Sequence, residues 1–380
     1  MNAVRKPDVA IVGGGIIGCA IAFFLAKAGV RPLVLERGQA GGEASSGAAG
    51  LLSAQVHTDE PGVLFDLKLA SRALYQLLAA ELLDRTEIDI EYRELGHLAP
   101  ALTEEETEAI AKRVTWQAAR GLPAAMLTAK ETRELEPGLT PDVRGAGWFP
   151  QDHHVNNTAV TQAFAGATIR LGGEVRTGCP VLDFIAEGKR VVGVRTKGES
   201  ILADTVILCA GAWSGQFEKA VGAALPVFPA KGQIVVARKE FPVIRHVVYG
   251  AAGYVLPRAT GEHLMGSTVE YVGFDKAVTL EGLTSIMEGL LHLVPSLGTA
   301  EMAASWGCLR PATPDGLPIL GAVPSRPGLI IATGHFRNGI LLAPITGKLI
   351  AELITQGETS ICLEPFRPDR PFPPGPPPKY

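Results

Sequence analysis

The sequence has no run of lysines or arginines and no basic stripe, and its formal net charge is −4. Nucleic-acid binding, which begins with neutralising phosphates, has nothing to build on. Cysteine is scarce: Cys19, Cys179, Cys209, Cys308 and Cys362 are odd in number and scattered through mostly apolar surroundings. No CxxC or His/Cys ligand spacing occurs, which argues against a disulfide framework and against zinc, and points to a reducing, cytoplasmic setting. The adjacent pair His153-His154, read as standing in a polar loop, lacks an evident third ligand, so no metal site is expected. Internal repeats are missing too. What remains is a 380-residue chain, 47 % hydrophobic and somewhat rich in glycine and proline, with material for two domains and a large core.

Residues 9–36, "VAIVGGGIIGCAIAFFLAKAGVRPLVLE", carry only two cations, Lys27 and Arg31. One reading is a signal peptide, with Arg5 and Lys6 ahead of an apolar run and Ala26-Lys27-Ala28 as a cleavage site. Asp8 interrupts that positive leader, and three adjacent glycines weaken an apolar helix. The other reading is a strand at 8–12, a turn Gly13-x-Gly15-x-x-Gly18, a helix over 16–29 stopped by Gly29, and a strand Pro32 to Leu35 ending in Glu36. Each part then has a task. Gly13 permits the tight turn, Gly15 lets a pyrophosphate approach the backbone, and Gly18 lets helix pack on strand. The helix N-terminus offers free N–H groups to phosphate, and Glu36 stands where a carboxylate accepts ribose hydroxyls. The stretch reads as a dinucleotide pocket, and no membrane span is expected.

Just beyond lies "RGQAGGEASSGAAGLLSA", residues 37–54, a second run of small residues with Ser45 and Ser46 in its midst. Such composition alone gives a flexible loop. Placed directly after the ribose acid, it lets backbone pass close to a large, extended dinucleotide such as FAD. Here the chain resembles the D-amino-acid oxidase superfamily of FAD-dependent amine and amino-acid oxidoreductases, and most of all its glycine oxidase branch. The likeness is carried in order by "VGGGIIGCAIAFFLAKAGVRPLVLERG", "GGEASSGAAGLL", "PVFPAKGQIVV", "GYVLPRATGEHLMGST", "WGCLRPATPDGLPILG" and "IIATGHFRNGILLAPITGKLIAELI".

Between those motifs, residues 61–84 have helical apolar spacing, while Thr103 with Glu106 and Thr128 with Glu131 form capping-box patterns. Asn157 is expected to cap a helix running to about Leu171. Residues 172–213 read as successive short strands, 226–270 as antiparallel strands, 279–294 as an amphipathic helix, and 328–333 as a last buried strand before a final helix near Gly339. Pattern and resemblance imply one fold, an α/β (α+β) chain. It has a discontinuous FAD-binding Rossmann-type domain at residues 1–90, 150–225 and 305–365, and an inserted, mostly antiparallel β substrate domain at 91–149 and 226–304. The Pro-rich tail, 366–380, is expected to be extended or disordered.

Oxidising an amino acid by hydride transfer from Cα to flavin N5 requires a cation that fixes the carboxylate, and the arginine fork suits it. The resemblance gives that clamp to Arg310, with Arg337 and Tyr254 as further catalytic and substrate contacts and Tyr249 as a weaker one. Arg258 is expected to serve the sheet. The FAD contacts it implies are Gly13, Gly15, Ile16, Ile17, Gly18, Glu36 and Arg37; then Ala44, Ser45, Ser46, Ala49, Gly50 and Leu51; then Val181, Ala210, Gly211 and Trp213. The last motif adds His335, by its backbone, with Phe336, Arg337, Asn338, Gly339, Ile340 and Leu341. The flavin is expected to be non-covalent; a covalent link through Cys308, as in sarcosine-oxidase-type relatives, is the alternative.

The implied activity is oxidative deamination of glycine, sarcosine or D-alanine, giving imine or 2-oxo acid, ammonia and hydrogen peroxide, and supplying the thiazole precursor of thiamine. The rival within the superfamily is a D-amino-acid, proline or N-methyl amino acid dehydrogenase using an acceptor other than oxygen. A non-catalytic flavin-binding protein is the rival outside it. The partners expected are the small amino acid and oxygen, and a homo-oligomer is suggested by the likeness alone.

Overall fold

A computed structural model describes residues 6–375, so Arg5 of the leader reading and the last five tail residues lie outside the described part. The run Val9–Val12 (β1) is buried along its whole length. It pairs in parallel with Pro32–Leu35 (β2) on one side and Thr205–Leu208 on the other. Both faces are covered, which is why it is apolar without alternation. Val9 and Ile11 pack into the helical layer, while Ala10 and Val12 face a three-stranded antiparallel sheet of Val181–Glu187, Arg190–Thr196 and Ser200–Leu202. The six-stranded sheet runs Ile319–Ala322, Leu329–Thr333, Thr205–Leu208, β1, β2, Glu174–Arg176, parallel except for its first edge pair.

The helices Ile16–Lys27 (α1), Val63–Thr86 (α2), Asn157–Arg170 and Gly339–Gln356 share one core, to which Phe23, Tyr75, Phe164 and Leu341 contribute. Each such large apolar side chain contributes about 1.5–3 kcal/mol by leaving water. The last helix lies close on α1: a Cβ at Gly347 would stand 2.6 Å from Phe24 and 2.9 Å from the Ala20 carbonyl. The stretch Phe336–Gln356 is the one helical segment among the described residues long and apolar enough to cross a bilayer, and 67 % of its apolar window is buried inside the molecule.

A second, eight-stranded sheet has the order Glu301–Ala312, Phe228–Arg238, Glu262–Gly266, Gly253–Pro257, Val247–Gly250, His97–Ala101, Gly145–Phe149, Ala125–Thr128. All its joins are antiparallel except Val247–Gly250 against His97–Ala101. The amphipathic helix Leu280–Leu293 covers it, packing Leu283, Ile286 and Leu290 on Val235, Val255 and Met265. Both expected capping boxes form, at Thr103/Glu106 and Thr128/Glu131.

Four expectations change. Asn156, not Asn157, caps its helix, accepting from the amides of Thr158 and Ala159, because Asn157 turns its amide elsewhere. The boundary expected at residue 305 falls inside the strand Glu301–Ala312, which pairs along its length with Phe228–Arg238. His153 and His154 are not in a polar loop but form a short buried strand against Leu51–Leu52. The tail begins docked rather than free: Phe366 is in the helical core, and the Arg370 guanidinium pairs with Asp315 at 2.8 Å.

Candidate active site

One cavity of about 1420 Å³ is lined by residues of both large sheets. That exceeds the span usual for a single small ligand and leaves room for a large cofactor beside a small substrate.

The phosphate-type end is built from backbone. Gly13 has φ +107°, and a Cβ there would lie 2.5 Å from the Cys209 carbonyl oxygen. A Cβ on Gly18 would meet the Gly13 carbonyl oxygen at 2.0 Å, so this glycine serves the packing of α1 on its own turn and does not line the cavity. The N-cap of α1 is Gly15, which has no side chain to cap with, and the first turn holds no acid, which leaves its positive end available to an anion. Glu36 lines the cavity with its carboxylate fixed by the amides of Gly14 at 2.8 Å and Gly38 at 2.7 Å. Arg37 lies over the Trp213 ring at 3.8 Å and pairs with Glu43 at 2.8 Å.

The loop of small residues is held from several directions. Ser45 Oγ accepts the Ile16 amide at 2.9 Å, which ties the loop to the start of α1. Asn157 Nδ2 donates to the carbonyls of Ser45 at 2.7 Å and Ser46 at 2.9 Å. Arg258 donates to the Ala49 carbonyl at 3.0 Å, as its expected sheet role allows, and Trp306 donates to that of Gly47 at 3.1 Å. A Cβ on Gly47 would stand 2.4 Å from the Cys308 Cβ, so the glycine that interrupts the loop's serines and alanines makes room for that cysteine. Ala44, Ser45, Ala49, Gly50 and Leu51 line the cavity; Ser46 does not, its hydroxyl donating instead to the Glu43 carbonyl. Ile16, Ile17, Val181, Ala210, Gly211 and Trp213 line it as well.

From the other chain end come His335, Phe336, Arg337, Asn338, Gly339, Ile340 and Leu341, all cavity-lining. Phe336 has φ +46°, a left-handed conformation that costs a bulky residue about 1–3 kcal/mol and tends to persist where function holds it. His335 is buried, its Nε2 3.0 Å from Thr346 Oγ1, and burial lowers its ring to about 3, so it stays neutral.

The third wall is side chains on the eight-stranded sheet. Arg310 donates to Ser267 Oγ at 2.7 Å and to the Thr268 carbonyl at 3.1 Å, with its guanidinium across Gly232, where a Cβ would fall 2.0 Å from Nη2. None of the ion pairs formed among the described residues involves Arg310, so its charge is left for a ligand. Tyr254 is buried beside it; burial pushes its hydroxyl up, with Arg310 opposing, so it remains a donor. Tyr249 is 6.0 Å from Tyr254 between ring centres and stacks on His57 at 5.1 Å. Arg310, Tyr254, Arg337 and Tyr249 thus share one cavity. Cys308 also lines it, and burial raises its thiol, with Arg310 opposing.

Sequence reasoning passed over Ser267, His57 and Lys68, which line the same cavity. The signal available for Lys68 was its place in "VLFDLKLASR", a charge on the buried stripe of a helix, four residues before the buried Arg72. No pattern marked His57, and Ser267 stands in the quoted motif "GYVLPRATGEHLMGST" without a signal of its own. Among the described residues, no group of three or more His, Cys, Asp or Glu is placed to share a metal.

A tight glycine turn on a helix N-terminus whose N-cap is a glycine, an acid fixed beside it and a second backbone-lined loop are what an extended FAD needs. The family described as FAD dependent oxidoreductase (DAO) matches residues 8–353. The chain belongs to that family. It is similar to a glycine oxidase of Geobacillus kaustophilus, 40 % identical over 95 % of this chain and 96 % of that one. A glycine oxidase of Pseudomonas aeruginosa is 34 % identical over 95 % and 98 %. A bifunctional ThiO/ThiG protein of Nostoc sp. is 37 % identical over 94 % of this chain but only 54 % of its own length. The crystal structure of glycine oxidase from Geobacillus kaustophilus superposes with TM-score 0.94 at 39 % identity, over 97 % of this chain and all of that one. FAD is therefore the cofactor of this member's family, and the fold is the family's.

Proposed function

We propose that this chain is an FAD-dependent oxidase of glycine and similar small amines, such as sarcosine and D-alanine, releasing imine or 2-oxo acid, ammonia (methylamine from sarcosine) and hydrogen peroxide. The observation that carries it is the Arg310 guanidinium, oriented by Ser267 and Thr268 and without an acid partner, in the same cavity as the phosphate-type turn. The glycine oxidase relatives support the substrate, and the fused ThiO/ThiG relatives support a role for the product in thiazole synthesis for thiamine. The five cysteines are free thiols, as a reducing, cytoplasmic setting would keep them.

When bound, FAD supplies a two-electron acceptor for the carbon–nitrogen bond. The protein's part is positioning, which supplies much of a rate enhancement. Arg310 grips the substrate carboxylate through its fork, and the protonated Tyr254 hydroxyl donates to the same group. Arg337 adds charge to this end. Gly13, Gly15, Ile16 and Ile17 hold the pyrophosphate, Glu36 the ribose, and the loop 44–51 the long side of the cofactor. Val181, Ala210, Gly211 and Trp213 flank it. The N-terminus of the last helix, Gly339-Ile340-Leu341, favours negative charge, an effect of about 0.3–1 kcal/mol in the open and more when buried. Cys308 stays a protonated thiol close under Gly47, so we read the cofactor as non-covalent. In this reading the FAD-binding region resumes after Ala312 rather than at residue 305.

Anaerobic mixing with glycine, sarcosine, D-alanine, D-proline and L-proline tests the reading. Glycine-type amines should bleach the flavin, and oxygen should then yield peroxide. Bleaching without peroxide favours a dehydrogenase, and no bleaching by any of them rejects the proposal.

A further inference from the structure

A further cation lines the cavity and takes no part in the proposed clamp. Lys68 of α2 is only 5 % exposed. Its ammonium donates one hydrogen bond, to Thr58 Oγ1 at 3.2 Å, and Thr58 in turn donates to the Ala54 carbonyl at 2.9 Å. An ammonium has three N–H donors, so two are unspent. The acids that act on it are already engaged. Asp152 pairs with Arg72 at 2.8 Å and accepts the amides of Ala54, Gln55 and Val56, while Asp59 pairs with Arg113 at 2.6 Å. Beside Lys68, the His57 ring is stacked on Tyr249 and its Nδ1 is buried without a partner.

A buried cation lacking a counter-charge is costly, and the structure registers that cost. Burial lowers Lys68 to about 8, with Arg337 pushing the same way and Asp152 and Asp59 opposing. Burial also holds His57 neutral, aided by the positive charges of Lys68, Arg337 and Arg113. With its proton on Nδ1 the neutral His57 ring is a donor, so an unpaired ammonium and this orphaned ring nitrogen in the cavity wall together suit an anionic ligand with an acceptor for each. Arg310 already claims one acid group.

We propose that Lys68, with the His57 ring beside it, binds a second acid group of the substrate, so that small amines carrying two carboxylates are preferred over glycine itself. The inference rests on the reading of Arg310 as the first carboxylate clamp. A lysine kept only to fill space with its stem would be replaced by methionine without changing ligand choice; an anion-reading lysine would not.

The test uses flavin-loaded wild-type, Lys68→Met and Lys68→Arg proteins. The bound flavin's absorption is titrated with acetate and with malonate, succinate and glutarate, and kcat/KM is compared for glycine and iminodiacetate. In the wild type at least one diacid should bind roughly tenfold or more tightly than acetate, as a charge-assisted hydrogen bond allows. The diacid-to-acetate ratio should fall to within about twofold in Lys68→Met and persist in Lys68→Arg, with iminodiacetate over glycine following the same order. Only the protonated amine attracts an acid, so the wild-type ratio should hold below the Lys68 titration near pH 8 and shrink as pH rises through it. Lys68→Arg should keep its ratio over that range. An equal ratio in wild type and Lys68→Met, or no diacid advantage in the wild type, overturns the proposal. Failure of the Arg310 reading looks different: acetate itself would bind no more weakly to Arg310→Met than to wild type.

Discussion

The two ends of the cavity are made of different materials. The end we assign to the cofactor is backbone: glycines whose missing Cβ atoms leave room, a helix start whose N-cap is a glycine, and a loop pinned through its carbonyls. The end we assign to the substrate is side chains, Arg310, Tyr254, Tyr249, Lys68 and His57, projecting from one sheet, one loop and one helix. A backbone site tolerates almost no added atom, whereas a side-chain site can be altered one interaction at a time. Damage at the first should appear as lost flavin, and damage at the second as lost turnover with the flavin in place.

The contrast is sharpest at Gly13. Gly13→Ala puts a Cβ 2.5 Å from the Cys209 carbonyl oxygen at φ +107°, so the purified variant should be colourless at flavin concentrations that saturate the wild type. Absorbance after desalting measures this. Arg310→Met should keep its flavin and lose kcat/KM for glycine by roughly thirtyfold to several thousandfold, the range for removing one partner of a buried charge pair, about 2–5 kcal/mol. Loss of flavin in Arg310→Met would blur the two ends into one.

Gly47 lies where the ends meet. Gly47→Ala overlaps the Cys308 Cβ at 2.4 Å, and overpacking of this kind costs about 1–3 kcal/mol, or roughly five- to hundredfold in flavin affinity. Cys308→Gly should restore binding in the double variant, while Cys308→Ala, which keeps the Cβ, should not. The smallest effect is expected at Asn157. Asn157→Ala removes two hydrogen bonds to loop carbonyls, each about 0.5–1.5 kcal/mol, and should weaken flavin binding by roughly tenfold in a dissociation titration.

The same contrast decides what could be read in the sequence. Backbone sites leave periodic traces, because a glycine is needed at fixed steps from a strand end; the tight turn at Gly13 and the packing task of Gly18 are legible, whereas Gly18, also expected to touch the cofactor, does not line the cavity. The buried strands and both capping boxes were equally plain, since their signals lie within a few residues. Side-chain sites are gathered from distant segments, so Arg310, Tyr254 and Arg337 can be picked out only through the family's motifs; Ser267 lies in one of those motifs with nothing to single it out, and His57 lies in none. Two adjacent asparagines compete for one cap position, and Asn157 reads as the cap as readily as Asn156. The sequence does not tell which of them is bound by a loop more than a hundred residues away. The boundary at residue 305 divides the strand Glu301–Ala312, whose outer half is more exposed than its inner half, a difference its residue pattern does not display.

The claim at the centre is that one guanidinium fixes the acid group of a small amine for oxidation. The direct test is the anaerobic reduction rate of the wild-type flavin by glycine and by glycinamide, which differ only in the carboxylate. Reduction by glycine roughly a hundredfold or more faster, with the gap lost in Arg310→Met, is the predicted result. Equal rates with the two amines, or a gap that survives in Arg310→Met, would contradict it.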